Sequence, residues 1–334
     1  MHQRRLALLL VAAALGCGDG GDARARRDTL VASLVNPSNG YSGLRLAHYA
    51  TGRDGDWDRL PEWNPPDAAL DVAADPLALG EAAFYRYPTQ LFGGDPSTPQ
   101  LVSVAFADGT RSAALTCASC HSRVVDGAVV PGLANETIDL GWGPGRIDVA
   151  IPPGEEPVAI PDLRAVALET NLHRDGTVRN DPAALAIRIE TLIITAHDGA
   201  VRPPRAISVA LATWLRSLAP PDPPPPSTPA ETHGAALFDA TCAGCHVPPA
   251  LSGPPVPLDV VGTDPRVGLS ADRGTGGYRV PSLRGVATRG RLLHDASIAD
   301  LPSLFDPARA GGHRFGLDLA DDDRAALLAY LTTL

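Results

Sequence analysis

The chain has 334 residues, enough for two domains with cores of their own, and its 38 acidic against 28 basic side chains give a net charge of −10. That balance excludes a general nucleic-acid binder and favours a basic or neutral partner. Every basic residue is arginine, because the sequence has no lysine, and its single methionine is Met1.

The first residues read as an export signal over 1–16. Arg4 and Arg5 precede the 10 apolar residues Leu6–Leu15, too short a run to span a bilayer and the right length for a signal core. The run ends at Ala14-Leu15-Gly16-Cys17, which resembles a bacterial lipoprotein cleavage box with alanine where leucine is commonest. Used as such, the box makes Cys17 the lipidated first mature residue and anchors the protein on the periplasmic side of a membrane. Ordinary cleavage nearby would instead leave Cys17 as a spare thiol, a liability in an oxidising compartment. Residues 17–74 form an irregular N-terminal extension, rich in Gly, Pro and Asp, that carries Trp57 and Trp63 and is expected to wrap over the first domain.

That domain spans 75–219. Asp75-Pro76 starts a helix with Gly80 and Phe84 on one face. Leu101–Ala107, Asp108-Gly109 and Arg111–Thr116 read as a hairpin turning at Asp-Gly. It leads into Cys117-Ala118-Ser119-Cys120-His121, and the domain closes with a helix over Ala206–Leu218. The proline-rich stretch 220–229 is a semi-rigid extended spacer. The second domain, 230–334, begins with a capping box in which Thr228 and Glu231 flank Pro229. Its first helix carries Gly234 and Phe238 on one face and runs into Cys242-Ala243-Gly244-Cys245-His246. A final helix over Asp321–Leu334 sets Leu327, Leu328, Leu331 and Leu334 at helical spacing, with Tyr330 turned to meet the first helix.

Cys-x-x-Cys-His is the attachment signature of c-type haem. The two cysteines form thioethers to the haem vinyl groups, and the histidine lies under the iron as its proximal ligand. A zinc ribbon or a redox dithiol would also use two Cys-x-x-Cys pairs, but neither explains a histidine directly after both. Two covalent haem c groups are therefore expected, with Cys117, Cys120 and His121 on the first and Cys242, Cys245 and His246 on the second. Haem of this type is attached outside the cytoplasm, which agrees with export. Methionine and lysine are common sixth ligands, and neither is present in the mature chain. The sixth position must be filled by histidine, a weaker ligand or nothing.

An internal repeat ranks the histidines. Pro161–Val178 matches Pro281–Ile298 without gaps at 7 of 18 positions. A weaker pairing sets His197–Leu218 against His313–Leu334 and aligns the two closing helices. His313, in the loop Gly311-Gly312-His313-Arg314-Phe315-Gly316, is the leading distal ligand for the second iron, and His197 is its counterpart for the first. His173 and His294 are expected to hydrogen-bond a propionate or the backbone, with ligation as the alternative. His48 and His233 are expected to face solvent. Arg164 and Arg284, equivalent in the repeat, are the candidates for neutralising propionates. Trp142 reads as loop packing, with a place between the haems as the alternative.

With these residues in view, 230–334 resembles a complete cytochrome c domain. Gly276–Val286 followed by Leu293-His294-Asp295 resembles the segment after the second haem motif in the di-haem cytochrome c peroxidase and MauG-like superfamily. Gly312-His313 with Phe315-Gly316 is similar to that superfamily's rubber oxygenase-type branch, and Asn171–Val178 to its first-domain segment. The resemblance implies a mainly α protein of two cytochrome c-type haem domains in tandem, the first with an inserted hairpin and the irregular extension. It also implies a peroxidase or oxygenase, which needs one haem with an open face and a distal acid/base. Glu190 is the nearest counterpart of the family's distal glutamate, at a shorter spacing, and Leu185–Ile194 reads as a helix that exposes it. Permanent ligation by His197 would leave peroxide no site and make the protein an electron carrier. It would then serve a small redox protein or a quinol-linked donor or acceptor. A calcium ion between the domains is allowed by the resemblance, but no acidic cluster is placed for it.

Overall fold

A computed structural model describes residues 60–93, 100–139, 144–147, 158–197, 199–220, 222–270 and 274–334. The export signal, Cys17, His48, Trp57 and Trp142 lie outside the described residues. Helices dominate these segments: α1 (Pro76–Arg86), α2 (Cys117–His121), α3 (Pro182–Ala196), α4 (Arg205–Leu215), α5 (Pro229–Thr241), α6 (Leu258–Val261), α7 (Leu301–Leu304) and α8 (Asp321–Leu331). Among the described residues strands pair only into two- and three-stranded pieces, so helix packing makes the cores. No helix among the described residues is long and apolar enough to cross a membrane. The chain forms two compact units, residues up to Cys120 with Asp181–Ser217, and His121–Asn180 with Leu218–Leu334.

In the first unit the core lies among α1, α3 and α4. The Asp75 carboxylate accepts from the Leu77 and Ala78 amides (2.9 and 3.3 Å), with Pro76 preset at the first helical position. Where α1 crosses α4, a side chain at Gly80 would collide with the Ala210 carbonyl and the Trp214 side chain, so only glycine allows this approach. Phe84, one turn on, packs against Trp214 at 4.6 Å between ring centres. The strand Arg111–Leu115 pairs antiparallel with Val102–Ala105 on one side and with Gln90–Leu91 on the other. Gly109, at φ +84°, supplies the left-handed turn between the two longer strands.

The second unit repeats the helix joint. Glu231 N–H donates to Thr228 Oγ1 (3.1 Å), and Thr228 N–H donates back to Glu231 Oε2 (3.2 Å), closing the capping box at the start of α5. Gly234 faces the Ala326 carbonyl and Tyr330 Cβ of α8, again with no room for a side chain. Phe238 packs against Tyr330 at 5.5 Å and joins Leu251, Val286, Leu301, Phe305, Leu317, Leu327 and Leu331 in one core. Burying each such side chain contributes roughly 1.5–3 kcal/mol before entropy is counted.

The sequence repeat is also a backbone repeat. His173 (φ +63°) and Leu293 (φ +67°) occupy the same repeat position, as do Gly176 (φ +68°) and Ala296 (φ +58°) three residues on. Leu172 pairs with Val178 just as Leu292 pairs with Ile298.

Candidate haem sites

Each motif forms about one turn of helix. The first is α2 itself; in the second, the Cys245 and His246 amides both donate to the Cys242 carbonyl (3.1 and 2.9 Å). Residues three and four apart then share a face, so two thiols and an imidazole point the same way. None of the four cysteines is in a disulfide. Burial pushes the Cys117 and Cys120 thiols up to about 12 and Cys242 up to about 11. Thiols that resist ionisation make poor dithiol redox centres, whereas a thioether needs no thiolate once formed.

Both motif histidines are prepared as ligands. His121 Nδ1 lies 3.0 Å from the Pro161 carbonyl, and His246 Nδ1 lies 3.2 Å from the Leu251 carbonyl. With Nδ1–H donating, the Nε2 lone pair is left for a metal. Burial pushes both imidazoles down to about 4, so they are neutral at physiological pH.

His313 faces His246 with ring centres 6.4 Å apart and planes at 64°. Two metal–imidazole bonds of about 2 Å, plus roughly 1 Å from each nitrogen to its ring centre, bring imidazoles that share one metal to about 6 Å. The gap is therefore the right width for one iron. His313 Nδ1 is buried without a hydrogen-bond partner, an orphaned polar atom that a bound group would explain. The loop that carries it is tightly held. His313 has φ +53°, its N–H donates to the Val261 carbonyl (2.6 Å), and Gly312 packs directly on Gly262 and Thr263. The Arg309 guanidinium donates to the carbonyls of Leu304 (2.7 Å), Gly312 (2.8 Å) and His313.

His197 meets a different environment. It ends α3, its ring stands edge-on to Trp63 at 5.1 Å, and its Nε2 lies 3.3 Å from the Pro88 carbonyl. The expectation that Glu190 is exposed is overturned: it is 6% exposed, with Arg205 Nε 3.8 Å from its carboxylate. The reason is that α3 carries Leu185, Ile189, Ile193 and Ile194 as well, so it is buried nearly all round and offers little polar face. His173 Nδ1 pairs with Thr177 Oγ1 (2.6 Å), and His294 stacks on Tyr278 at 4.1 Å. His233 is exposed and pairs with Asp323 (2.6 Å).

The two repeat-equivalent arginines are both engaged. Arg164 grips Asp162 (2.5 Å) and Thr288 (2.8 Å). Arg284 reaches the Pro220 carbonyl (2.8 Å) and Asp222 (2.6 Å), while its buried Nε has no partner and is free for an anion such as a propionate. Three groups escaped the sequence reading, Asp162, Arg289 and Arg309. Asp162 directly follows the proline whose carbonyl holds His121, the one local signal that pointed to any of them.

Residues 231–334 match the family model for cytochrome c. That stretch is similar to a cytochrome c domain. It contains α5, the second motif, the His313 loop and α8, and haem c is the cofactor such a domain carries. Along most of its length the chain is also similar to two solved structures. One is a MauG-like protein associated with microbial copper homeostasis, at 18% identity and TM-score 0.48, covering 85% of this chain and 95% of that one. The other is hydrazine synthase of Kuenenia stuttgartiensis, at 14% identity and TM-score 0.46, covering 83% and 97%. No curated protein matches the chain.

Proposed function

We propose that the protein is an exported di-haem c-type cytochrome that passes single electrons, with haem domains at 75–219 and 230–334 joined by the spacer 220–229. The observation that carries this reading is the 6.4 Å gap between His246 and His313. Cys117 and Cys120 would tether one haem and Cys242 and Cys245 the other, with His121 and His246 as proximal ligands and His313 closing the second iron. The haem supplies one-electron redox chemistry; the protein keeps the ligand imidazoles neutral, fixes the His313 loop and limits water. Two histidine ligands give a lower potential than histidine with methionine. Arg164 and Arg284 are proposed partners for the propionates. The acidic chain would serve a basic or neutral redox protein, or a quinol-linked donor or acceptor, at a membrane surface reached through lipidation of Cys17.

A second reading is a peroxidase or oxygenase in which the first iron is open and the second haem feeds it. Two observations favour it. His197 is engaged with Trp63 and Pro88, and Glu190 is a buried carboxyl of the kind an acid/base role needs. Electron paramagnetic resonance of the oxidised and half-reduced holoprotein separates the readings, with hydrogen peroxide and carbon monoxide added in turn. Two low-spin signals inert to both reagents would identify a pure carrier. A high-spin signal that reacts with peroxide would identify the enzyme.

A further inference from the structure

We propose that Ser282 is the positioning residue for His246: its buried hydroxyl fixes the loop whose carbonyl holds the imidazole, and through that loop governs the histidine–iron bond of the second site. The proposal deepens the di-haem reading above and rests on it. All the residues involved belong to the second compact unit.

Residues 247–252 turn back on the second motif. Val247 N–H donates to the Ser252 carbonyl (3.2 Å), and a side chain at Gly253 would strike the Cys245 carbonyl. Within this turn Leu251 has φ +51°, a left-handed conformation that a leucine keeps only where its surroundings impose it. Its carbonyl lies 3.2 Å from His246 Nδ1 and also accepts the Leu283 N–H (3.1 Å). The residues on either side are pinned by hydroxyls. Ser282 Oγ donates to the Ala250 carbonyl (2.6 Å), and Ser252 Oγ donates to the Val280 carbonyl (2.7 Å). Ser282 is 0% exposed, so solvent does not compete for its hydroxyl. A carbonyl that accepts from Nδ1–H fixes the imidazole ring and makes Nε2 a stronger donor to a metal. Loosening the Ala250–Leu251 peptide therefore weakens the ligand without removing it.

The internal repeat shows why a hydroxyl stands here. The counterpart of Ser282 is Asp162, and each accepts from the amide of the arginine two residues on: Asp162 Oδ1 from Arg164 N–H (2.9 Å), Ser282 Oγ from Arg284 N–H (3.2 Å). An ionised carboxylate can only accept, and Asp162 binds the guanidinium groups of Arg164 (2.5 Å) and Arg289 (3.2 Å). A hydroxyl accepts and donates at once. At the first motif the Pro161 carbonyl, on the residue beside Asp162, accepts from His121 directly (3.0 Å). At the second motif the Leu251 carbonyl belongs to a separate loop, and the hydroxyl of Ser282 ties that loop to the segment carrying Arg284.

The test uses the holoprotein carrying His313→Ala, in which the ferrous second iron keeps His246 as its only histidine and resonance Raman reads the iron–histidine stretch. Adding Ser282→Ala is expected to move that band to lower frequency, and adding Ser282→Thr, which keeps the hydroxyl, to leave it in place. The first haem contributes equally to all three spectra and cancels in their differences. With His313 intact, Ser282→Ala should also shift the low-spin paramagnetic resonance line of the second haem, because that line depends on the angle between the two imidazole planes, 64° here. Should Ser282→Ala fail to fold, Ser282→Cys carries the test with a smaller shift, since a thiol donates only weakly. An unmoved band in a variant that keeps its second haem would overturn the proposal even if that variant melts earlier, and would leave the di-haem reading intact. A wild-type protein whose second motif carries no haem, read by peptide mass spectrometry, would overturn both.

Discussion

The α1–α4 pair of the first unit and the α5–α8 pair of the second are the same joint built twice, yet the histidines ahead of α4 and α8 end differently. Gly80 and Phe84 meet Ala210 and Trp214 as Gly234 and Phe238 meet Ala326 and Tyr330. Upstream, the units diverge. His197 caps the C-terminus of a 15-residue helix, its N–H bonded back to the Ile193 carbonyl and its ring committed to Trp63 and Pro88. His313 follows Gly311-Gly312 in a loop whose left-handed φ angles turn the imidazole toward His246. On the proposed reading, a shared helix joint does not decide which histidine reaches an iron. What precedes the closing helix does.

The largest effect should come from exchanging the two histidines for alanine. His313→Ala should convert the second haem from low-spin to high-spin and create a carbon monoxide site. His197→Ala should leave the spin state of both haems as it was and cost about 1–3 kcal/mol through lost packing against Trp63. Paramagnetic resonance and denaturant titration measure the two quantities. A new high-spin signal in His197→Ala would break the contrast, because His197 would then be a ligand like His313.

The joint itself can be tested for equivalence. Gly80→Val and Gly234→Val each push a side chain into a facing carbonyl, and each should cost about 3 kcal/mol in guanidinium unfolding of the holoprotein. A large loss at one glycine and none at the other would mean that the two joints only look alike.

These joints were legible because their signals are local. A glycine and an aromatic four residues apart, a Thr-Pro-Ala-Glu capping box and an Asp-Gly turn each act over a few residues. The repeat containing Leu172 and Leu292 was legible for the same reason, as two stretches of one pattern. Burial of Glu190 was not, because it depends on α3 being covered on several sides rather than on the residue's neighbours in sequence. The Asp162–Arg289 pair joins positions 127 residues apart, and no periodicity announces such a contact. Arg309 was passed over as one of many arginines; its role appears only when three carbonyls of one loop converge on it.

Arg309 sharpens the comparison at smaller amplitude. The first unit has a helix to hold His197, whereas the His313 loop depends on the Arg309 guanidinium. Arg309→Gln should leave the second haem attached but partly high-spin, with carbon monoxide binding to a fraction of the protein. Arg309→Lys should rescue this only in part, since an ammonium cannot match a planar fork. A fully low-spin Arg309→Gln protein would show that Gly312 and the Val261 contact suffice.

The smallest difference lies at the helix starts. Asp75 caps α1 alone, whereas α5 has the reciprocal box, and Glu231 there also accepts from Ser227 N–H (2.6 Å) and Ser227 Oγ (2.9 Å). Thr228→Ala should destabilise the second unit by about 1 kcal/mol, and Asp75→Ala the first by a similar amount. The Ser227 backbone and side-chain hydrogen bonds, joined by those from Thr228, hold the Glu231 carboxyl below its usual range. A depressed carboxyl contributes stability above its unfolded pKa, about 4.3, and loses it as pH falls through the lower folded value. Acid should thus weaken the α5 start only below about pH 4, and Glu231→Gln should abolish that dependence without changing either haem spectrum. Melting curves of the variant at pH 7 and pH 3 measure it. An acid response that survives in Glu231→Gln would place the titrating group elsewhere in the second unit.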